Sequence, residues 1–85
     1  MHNYTITISR TAQRQLDALP DEIAENLISV IQKLAQNPRP SGYKKLKGRD
    51  GYRIRKGDYR ILYEIFDSTI LVHIVAIGHR GNIYR

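Results

Sequence analysis

This chain of 85 residues is long enough for one small domain, and its 41% share of hydrophobic residues is too high for a disordered segment. It contains no cysteine, which excludes a disulfide framework and thiolate zinc sites. No apolar run approaches the roughly 20 residues of a membrane helix, and the N-terminus does not resemble a signal peptide. We therefore expect a single domain over residues 1–85 in the cytoplasm, with no membrane partner.

The net charge of +6 lies entirely in the second half of the chain. Residues 1–42 carry four basic and four acidic side chains, whereas residues 43–85 carry ten basic and four acidic ones. An excess confined to one region produces a local positive field, which attracts polyanions. The second half therefore indicates a binding surface for a polyanion; the alternative is a basic surface that is merely solvated.

The first half of the chain predicts a strand followed by two helices. Residues 4–8 alternate and are rich in β-branched side chains, as strands are. Ser9 is suited to cap a helix over residues 10–19, and Asp21 is suited to cap a second helix that ends before Pro38. Both helices carry apolar side chains at helical spacing, namely Ala12, Leu16, Leu19, Ile23, Leu27, Val30, Ile31 and Leu34.

The second half predicts three strands. Residues 52–65 alternate with a period of two on both sides of a Lys-Gly-Asp turn at 56–58. Residues 69–77 are almost wholly apolar, as in a strand buried on both faces, and residues 78–85 read as an irregular tail. The predicted fold is α+β, with an N-terminal strand, a two-helix hairpin and then a three-stranded antiparallel meander (β-α-α-β-β-β), the helices on one face of the sheet.

Three arginines inside the predicted hairpin have no structural role in a sheet core. The guanidinium groups of Arg53, Arg55 and Arg60 cannot lose their protons, so they must face water, an acidic partner or a phosphate. Arginine binds phosphate bidentately, and tyrosine can stack on an RNA base. Metal-free RNA cleavage needs a base for the 2′-hydroxyl proton, cations for the phosphorane charge and an acid for the leaving oxygen. Arginines can stabilise that charge, and a histidine such as His79 is suited to exchange protons near neutral pH.

Other kinds of site are absent from the sequence. The three histidines lack metal-ligand spacing, no glycine-rich phosphate loop occurs, and no paired carboxylates stand out. We therefore expect neither a metal nor a small-molecule cofactor. His73, in mid-strand between apolar neighbours, is more typical of a structural histidine than of a catalytic one. On residue types alone, a nuclease and a nucleic-acid or ribosome-binding module are both open.

Several segments together resemble the RelE branch of the RelE/ParE toxin superfamily. They are Lys45-Leu46-Lys47-Gly48, Tyr52-Arg53-Ile54-Arg55, Gly57-Asp58-Tyr59-Arg60-Ile61-Leu62-Tyr63, Gly78-His79-Arg80 and Tyr84-Arg85. The resemblance covers essentially the whole chain and implies the toxin of a type II toxin–antitoxin pair. It further implies cleavage of mRNA in the ribosomal A site, without a metal, by 2′-hydroxyl attack that yields a cyclic phosphate. The implied partners are the ribosome, mRNA and a small, acidic, RelB-like antitoxin.

The resemblance also implies a role for each matching residue. Arg53 and Arg55 match two basic strand positions of the active site, and Arg60 matches the arginine that stabilises the transition state. Arg80 matches the arginine beside the leaving group, and Tyr84 matches the tyrosine that stacks on a base. We expect the other basic residues to hold ribosomal RNA rather than perform chemistry; they are Lys44, Lys45, Lys47, Arg49 and Lys56.

One departure from the family pattern and one sister branch leave alternatives open. The best-studied members have lysines where this chain has Arg53 and Arg55, and an arginine cannot act as a general base. Either that role passes to Tyr84 or to His79, or the chain cuts slowly. ParE-like relatives share the fold but poison gyrase, and they generally lack the cationic side chains of the active site. The alternative function is thus a non-catalytic inhibitor, either a gyrase poison or a degenerate toxin that acts as corepressor with its antitoxin.

Overall fold

The computed structural model of the protein describes residues 3–48 and 50–79. They form one five-stranded sheet with two helices, neither of which is long and apolar enough to cross a membrane. In chain order the elements are β1 (Thr5–Ile8), α1 (Arg10–Asp17), α2 (Asp21–Gln36), β2 (Lys44–Lys45), β3 (Tyr52–Lys56), β4 (Tyr59–Phe66), a short 3₁₀ turn (Asp67–Thr69) and β5 (Leu71–His79).

The strands lie in the order β1-β5-β4-β3-β2. β1 runs parallel to β5, and all other neighbours pair antiparallel, so the predicted α+β fold with its antiparallel meander is confirmed. The sequence does not predict β2, because two residues show no periodicity. This short strand forms through its pairing with Arg53 and Tyr52 of β3.

The hydrophobic core lies between the two helices and one face of the sheet, as the apolar spacing predicts. Its buried members are Ala12, Leu16, Leu27, Ile31, Leu34, Ile54, Ile61, Tyr63, Val72, Ile74 and Ile77. Each large apolar side chain buried in this way contributes roughly 1.5–3 kcal/mol relative to exposure. Because both described helices pack on this face, the opposite face of the sheet is available for a partner.

The helix boundaries differ slightly from the prediction. The Ser9 hydroxyl oxygen accepts a hydrogen bond from the Ala12 N–H at 3.0 Å, so the predicted cap of α1 is confirmed. α1 ends at Asp17 rather than at 19, because Pro20 disfavours helical backbone in the residue before it. The predicted cap of α2 is wrong. Pro20 holds the cap position, and Asp21 is the first helical residue, where its carboxylate still favours the positive end of the helix.

The last strand is shifted toward the C-terminus. It spans Leu71–His79 rather than 69–77, because a 3₁₀ turn comes first and Ile70 adopts a left-handed conformation with φ of 53°. Gly78 and His79 are therefore strand residues, not the start of an irregular tail. The strand is also fully buried on only one face, since residues on its other face are half-buried.

Candidate functional site

The β3–β4 hairpin aligns the arginines that the sequence singles out. Its two-residue turn begins with Gly57 at φ of 60°, the position that the II′ hairpin turn gives to glycine. The resulting register places Arg55 directly opposite Arg60 and Arg53 opposite Leu62. Directly paired residues of antiparallel strands share a face, so the three arginines lie on the same side of the sheet.

That side is opposite the helices, and we call it the arginine face. The residues that alternate with the arginines, including Ile54, Ile61 and Tyr63, are at most 8% exposed and belong to the core. Successive side chains of a strand point to opposite faces, so the arginines point away from the core. Their charges are thereby presented together on the side of the sheet that the helices leave open.

Arg55 and Arg60 form a like-charged pair across the two strands. Cross-strand pairs are worth roughly 0.2–1 kcal/mol, and like charges directly opposite each other are destabilising. Arg60 is half-buried with its Nε atom shielded from solvent, and its neighbour on β5 is Gly78, which has no side chain to cover it. An anion between the two guanidinium groups would offset the repulsion and accept charge-assisted hydrogen bonds. The arrangement is therefore suited to a phosphate.

The lysines predicted to hold RNA divide between the two sides of the sheet. Lys44 pairs with Arg53 and extends the arginine face to the edge strand β2, whereas Lys45 lies on the other side of β2. Lys56 lines a groove beside α2 at the tip of the hairpin. Lys47 is exposed in the turn that follows β2. Of these four, only Lys44 is aligned with the arginines.

Other predicted site residues are not all brought to the arginine face. His79 pairs with Tyr59, and their rings meet edge-on with a centroid distance of 5.3 Å. Tyr59 packs against the core, which places His79 on the helix side of the sheet. Arg49, Arg80 and Tyr84 lie outside the described residues.

His73 has a partner on the neighbouring strand. Its Nδ1 atom lies 2.7 Å from the Thr7 hydroxyl oxygen, so the side chain links β5 to β1. This contact agrees with the structural role that its position in mid-strand predicts. Within residues 3–48 and 50–79, no three His, Asp or Glu side chains are grouped so that they could hold a metal ion.

Polar contacts at the other end of the sheet hold its loops. The Arg39 guanidinium donates to both Asp67 carboxylate oxygens, at 2.8 and 3.3 Å, and the Tyr4 hydroxyl donates to Oδ1 at 2.6 Å. Arg39, with Tyr4, holds the pKa of Asp67 below its usual range, and the Asp67 carboxylate raises the pKa of Tyr4. The buried Tyr63 hydroxyl donates to the Pro38 carbonyl oxygen at 2.7 Å, and burial raises the pKa of this phenol.

A bulge in β5 lies beside the arginines, and no sequence signal marks it. Val75 is an extra residue with no direct partner on β4. α1 holds the strand at this point, because the Ser9 hydroxyl donates to the Val75 carbonyl oxygen at 2.6 Å and the Ile77 N–H donates to Gln15 Oε1 at 2.6 Å. The apolar run of β5 hides the bulge, since an extra apolar residue does not break the pattern.

Comparison with known proteins gives independent evidence on the family of this chain. Residues 6–84 match the family model described as the ParE toxin of the type II toxin–antitoxin system parDE. The chain belongs to the RelE/ParE toxin superfamily. It is 36% identical over 86 residues to a protein named toxin RelE from Mycobacterium tuberculosis, and the match covers 99% of this chain and 89% of that relative.

Two solved structures of RelE-like toxins share the fold of this member of the superfamily. The RelBE2 toxin–antitoxin complex from Mycobacterium tuberculosis matches with a TM-score of 0.84 and 30% identity, over 96% of this chain and 97% of that one. The archaeal RelE–RelB complex from Pyrococcus horikoshii matches with a TM-score of 0.82 and 27% identity, over 94% and 98%. The chain is therefore a RelE-like toxin of a type II toxin–antitoxin system, as its motifs predict. The roles of individual residues remain predictions.

Proposed function

We propose that this RelE-like toxin is a ribosome-dependent mRNA endonuclease, which cuts in the A site without a metal. The observation that carries the proposal is the arginine face, where Arg55 is directly opposite Arg60 and Arg53 lies two residues away on β3. Opposed arginines repel each other across a sheet, whereas a phosphodiester placed there would gain charge-assisted hydrogen bonds. The 36% identity to a protein named toxin RelE supports the RelE branch of the superfamily and therefore the same function.

In the proposed reaction, the 2′-hydroxyl oxygen attacks the adjacent phosphorus, the bond to the 5′ oxygen breaks, and a cyclic phosphate forms. Arg55 and the half-buried Arg60 stabilise the negative charge that develops on the non-bridging oxygens, and shielding from water strengthens this interaction. We assign stabilisation of the leaving oxygen to Arg80, and this oxygen takes its proton from water. We assign stacking on the neighbouring base and removal of the 2′-hydroxyl proton to Tyr84, because an arginine cannot act as a general base.

The remaining basic residues hold ribosomal RNA in this proposal. Lys44 contacts phosphates beside the arginine face and Lys47 contacts them from the turn after β2, and contacts of this kind position a complex without reading sequence. We assign Lys45 and Lys56, which lie away from the arginine face, and Arg49 to further contacts with ribosomal RNA. Because none of the described residues among these lysines lies in the core, their substitution would weaken binding of the ribosome and not the stability of the fold.

The proposed antitoxin is small, acidic and RelB-like, and it binds across the arginine face. Both structural neighbours named above are complexes of a toxin with its antitoxin, the archaeal one a RelE–RelB pair. An acidic partner also suits a chain whose net charge of +6 is carried by residues 43–85. Antitoxin and RNA would then compete for one surface in the cytoplasm, which explains neutralisation without a second site.

A non-catalytic function is the second candidate, because the matching family model is described as the ParE toxin. The chain would then poison gyrase, or act with its antitoxin as a corepressor only. The arginines would serve to dock the antitoxin in both cases.

Primer extension on a reporter mRNA after toxin induction distinguishes the two candidates. The nuclease predicts new 5′ ends inside translated codons, and their absence when initiation on that mRNA is blocked. A DNA-damage response without mRNA breaks would favour the gyrase poison. If both signals are absent and the toxin represses transcription only together with its antitoxin, the result would favour the corepressor.

A single substitution tests whether the arginines perform chemistry. Arg80→Ala should lower cleavage on the order of 10²-fold or more, as loss of one transition-state donor does. Arg14→Ala is the matched control, because it removes an exposed arginine from α1, on the helix side of the molecule. An Arg80→Ala protein that folds, binds antitoxin and still cuts mRNA like the parent would refute the assignment.

A further inference from the structure

A small pocket opens on the arginine face. Its apolar walls come from Leu46, Leu62 and Val75, and the acidic residues Glu64 and Asp50 also line it. Its volume of about 290 Å³ is just below the roughly 300 Å³ at which small-molecule pockets begin. The cavity, which we call the Glu64 pocket, is therefore large enough for one planar ring system and too small for an extended ligand.

Two backbone features keep the Glu64 pocket open. Gly51 lines it with φ of +124°, and a Cβ at this position would lie 3.3 Å from both Leu46 Cδ1 and the Tyr63 carbonyl oxygen. The bulge in β5 supplies Val75 as an additional wall, and the hydrogen bond from Ser9 fixes that bulge. The pocket is thus built into the fold and is not a gap left by loose packing.

The Glu64 pocket adjoins the residues that would hold a phosphate. Its wall residue Leu62 lies directly opposite Arg53. Every second residue of β4 faces this side of the sheet, in the order Arg60, Leu62 and Glu64. The distance along the strand from the cation to the apolar wall, and from that wall to the carboxylate, is about 7 Å in each case. A nucleotide has a matching polarity, because its anionic phosphate lies at one end and its uncharged planar base at the other.

The chemistry of the pocket favours one kind of base. A carboxylate accepts hydrogen bonds from an exocyclic amino group, such as that on C4 of cytosine. Adenine and guanine also carry an amino group, whereas uracil has a carbonyl oxygen in its place, which a carboxylate repels. Leu46 and Val75 offer contact to a ring face, whereas Leu62 is only 4% exposed, and the carboxylates exclude a second phosphate.

We propose that the Glu64 pocket binds the base of the mRNA nucleotide next to the cleaved phosphodiester and selects amino-bearing bases against uracil. Glu64 accepts the hydrogen bond from the amino group, and Asp50 lies at the same opening. This assignment rests on the proposed function, since it takes the arginines to hold the adjacent phosphate.

Mapping of cleavage sites on ribosomes programmed with randomised codons tests the proposal. The parent should disfavour uracil by roughly tenfold at one fixed position beside the break, the discrimination that one good base contact provides. Glu64→Gln should reduce this preference to less than about threefold, because an amide can also donate to a carbonyl oxygen. Glu25→Gln removes an exposed carboxylate from α2 and should keep the parental preference.

A titration with mononucleotides makes the test independent of cleavage. In NMR spectra of the purified toxin, CMP should shift the backbone amide signals of Leu46, Gly51 and Glu64 at roughly tenfold lower concentration than UMP. Glu64→Gln should abolish that difference. If the toxin does not cut mRNA but shows this binding, the proposed function fails, and the Glu64 pocket is retained only as a binding site for amino-bearing bases.

Three results would overturn the pocket assignment. One is a toxin that cuts mRNA without any bias against uracil beside the break. Another is equal binding of CMP and UMP at these amides. The third is a uniform loss of cleavage at all sites in Glu64→Gln with an unchanged preference, which would indicate a contact to ribosomal RNA or a structural role.

Discussion

Substitution of His79 separates two roles for this side chain, proton transfer and packing. Arg60 pairs with Gly78 and His79 with Tyr59, and neighbouring residues of a strand point to opposite faces. A general base must come within about 2.6–3.2 Å of the oxygen whose proton it takes. From the helix side, the imidazole cannot reach a phosphodiester on the arginine face unless β5 rearranges. We therefore expect His79→Gln to keep cleavage within about threefold of the parent, far from the 10²–10⁴-fold loss of a general base.

The same substitution should instead cost stability. The His79 and Tyr59 rings meet edge-on at 5.3 Å, and aromatic pairs of this kind are worth about 0.5–1.5 kcal/mol. His79 is exposed, so we expect the lower limit, about 0.5 kcal/mol. For a domain of this size that corresponds to a melting temperature lower by about 2–4 °C. His79→Phe is the matched control, since it keeps a ring but cannot exchange a proton, and it should preserve both stability and cleavage.

Single-turnover cleavage on programmed ribosomes and calorimetric melting measure the two effects. Tyr84→Phe belongs in the same series, because it keeps a stacking ring, lacks the hydroxyl and should lose about 10²–10⁴-fold if Tyr84 is the base. The reasoning is refuted if both His79 variants melt like the parent and both lose 10²-fold or more in cleavage, on the scale of a lost general base. Such a result would mean that the end of β5 rearranges on the ribosome.

Three further predictions concern RNA binding and the loop contacts. Reversal of Lys44 and Lys47 to Glu should weaken ribosome binding and flatten its salt dependence, because fewer counterions are released; an unchanged salt titration would contradict this. Asp67→Asn should lower the free energy of unfolding at neutral pH. The difference from the parent should shrink as pH falls below 3.8, because folding lowers the pKa of the Asp67 carboxyl and its stabilising contribution is lost when it is protonated. Urea unfolding of both proteins across pH measures this difference. Tyr63→Phe should cost about 1–3 kcal/mol, because the buried Pro38 carbonyl loses its donor, and equal melting temperatures would speak against that contact.

The sequence predicts elements whose pattern repeats within a few residues. Ser9 before an amphipathic run predicts the cap of α1, and alternation around Gly57 predicts the hairpin and the common face of its arginines. The end of β5 cannot be predicted in this way, because Gly78 and His79 continue no apolar pattern. They become strand residues only because β4 begins at Tyr59 and offers them partners. Pairing between distant segments, not local propensity, decides their structure.

The Glu64 pocket is likewise hidden in the sequence. Glu64 reads as the polar member of an alternating strand, and Val75 as one more apolar residue of the last strand. Gly51 is the single local signal, since a glycine before a strand often marks a special backbone angle, and here φ is +124°. Only the register of three strands brings these residues to one opening.

The bulge in β5 determines which side chain faces the arginines. In a regular strand, residues an even number apart share a face, so His79 would lie on the same side as His73, the arginine face. The extra residue Val75 reverses this alternation, which is why Ile74 and Ile77, three residues apart, are both buried. His79 is thereby moved to the helix side, and Gly78 takes the place opposite Arg60. A glycine leaves space there that an imidazole would fill, so the bulge keeps room beside Arg60 for the phosphate that we propose.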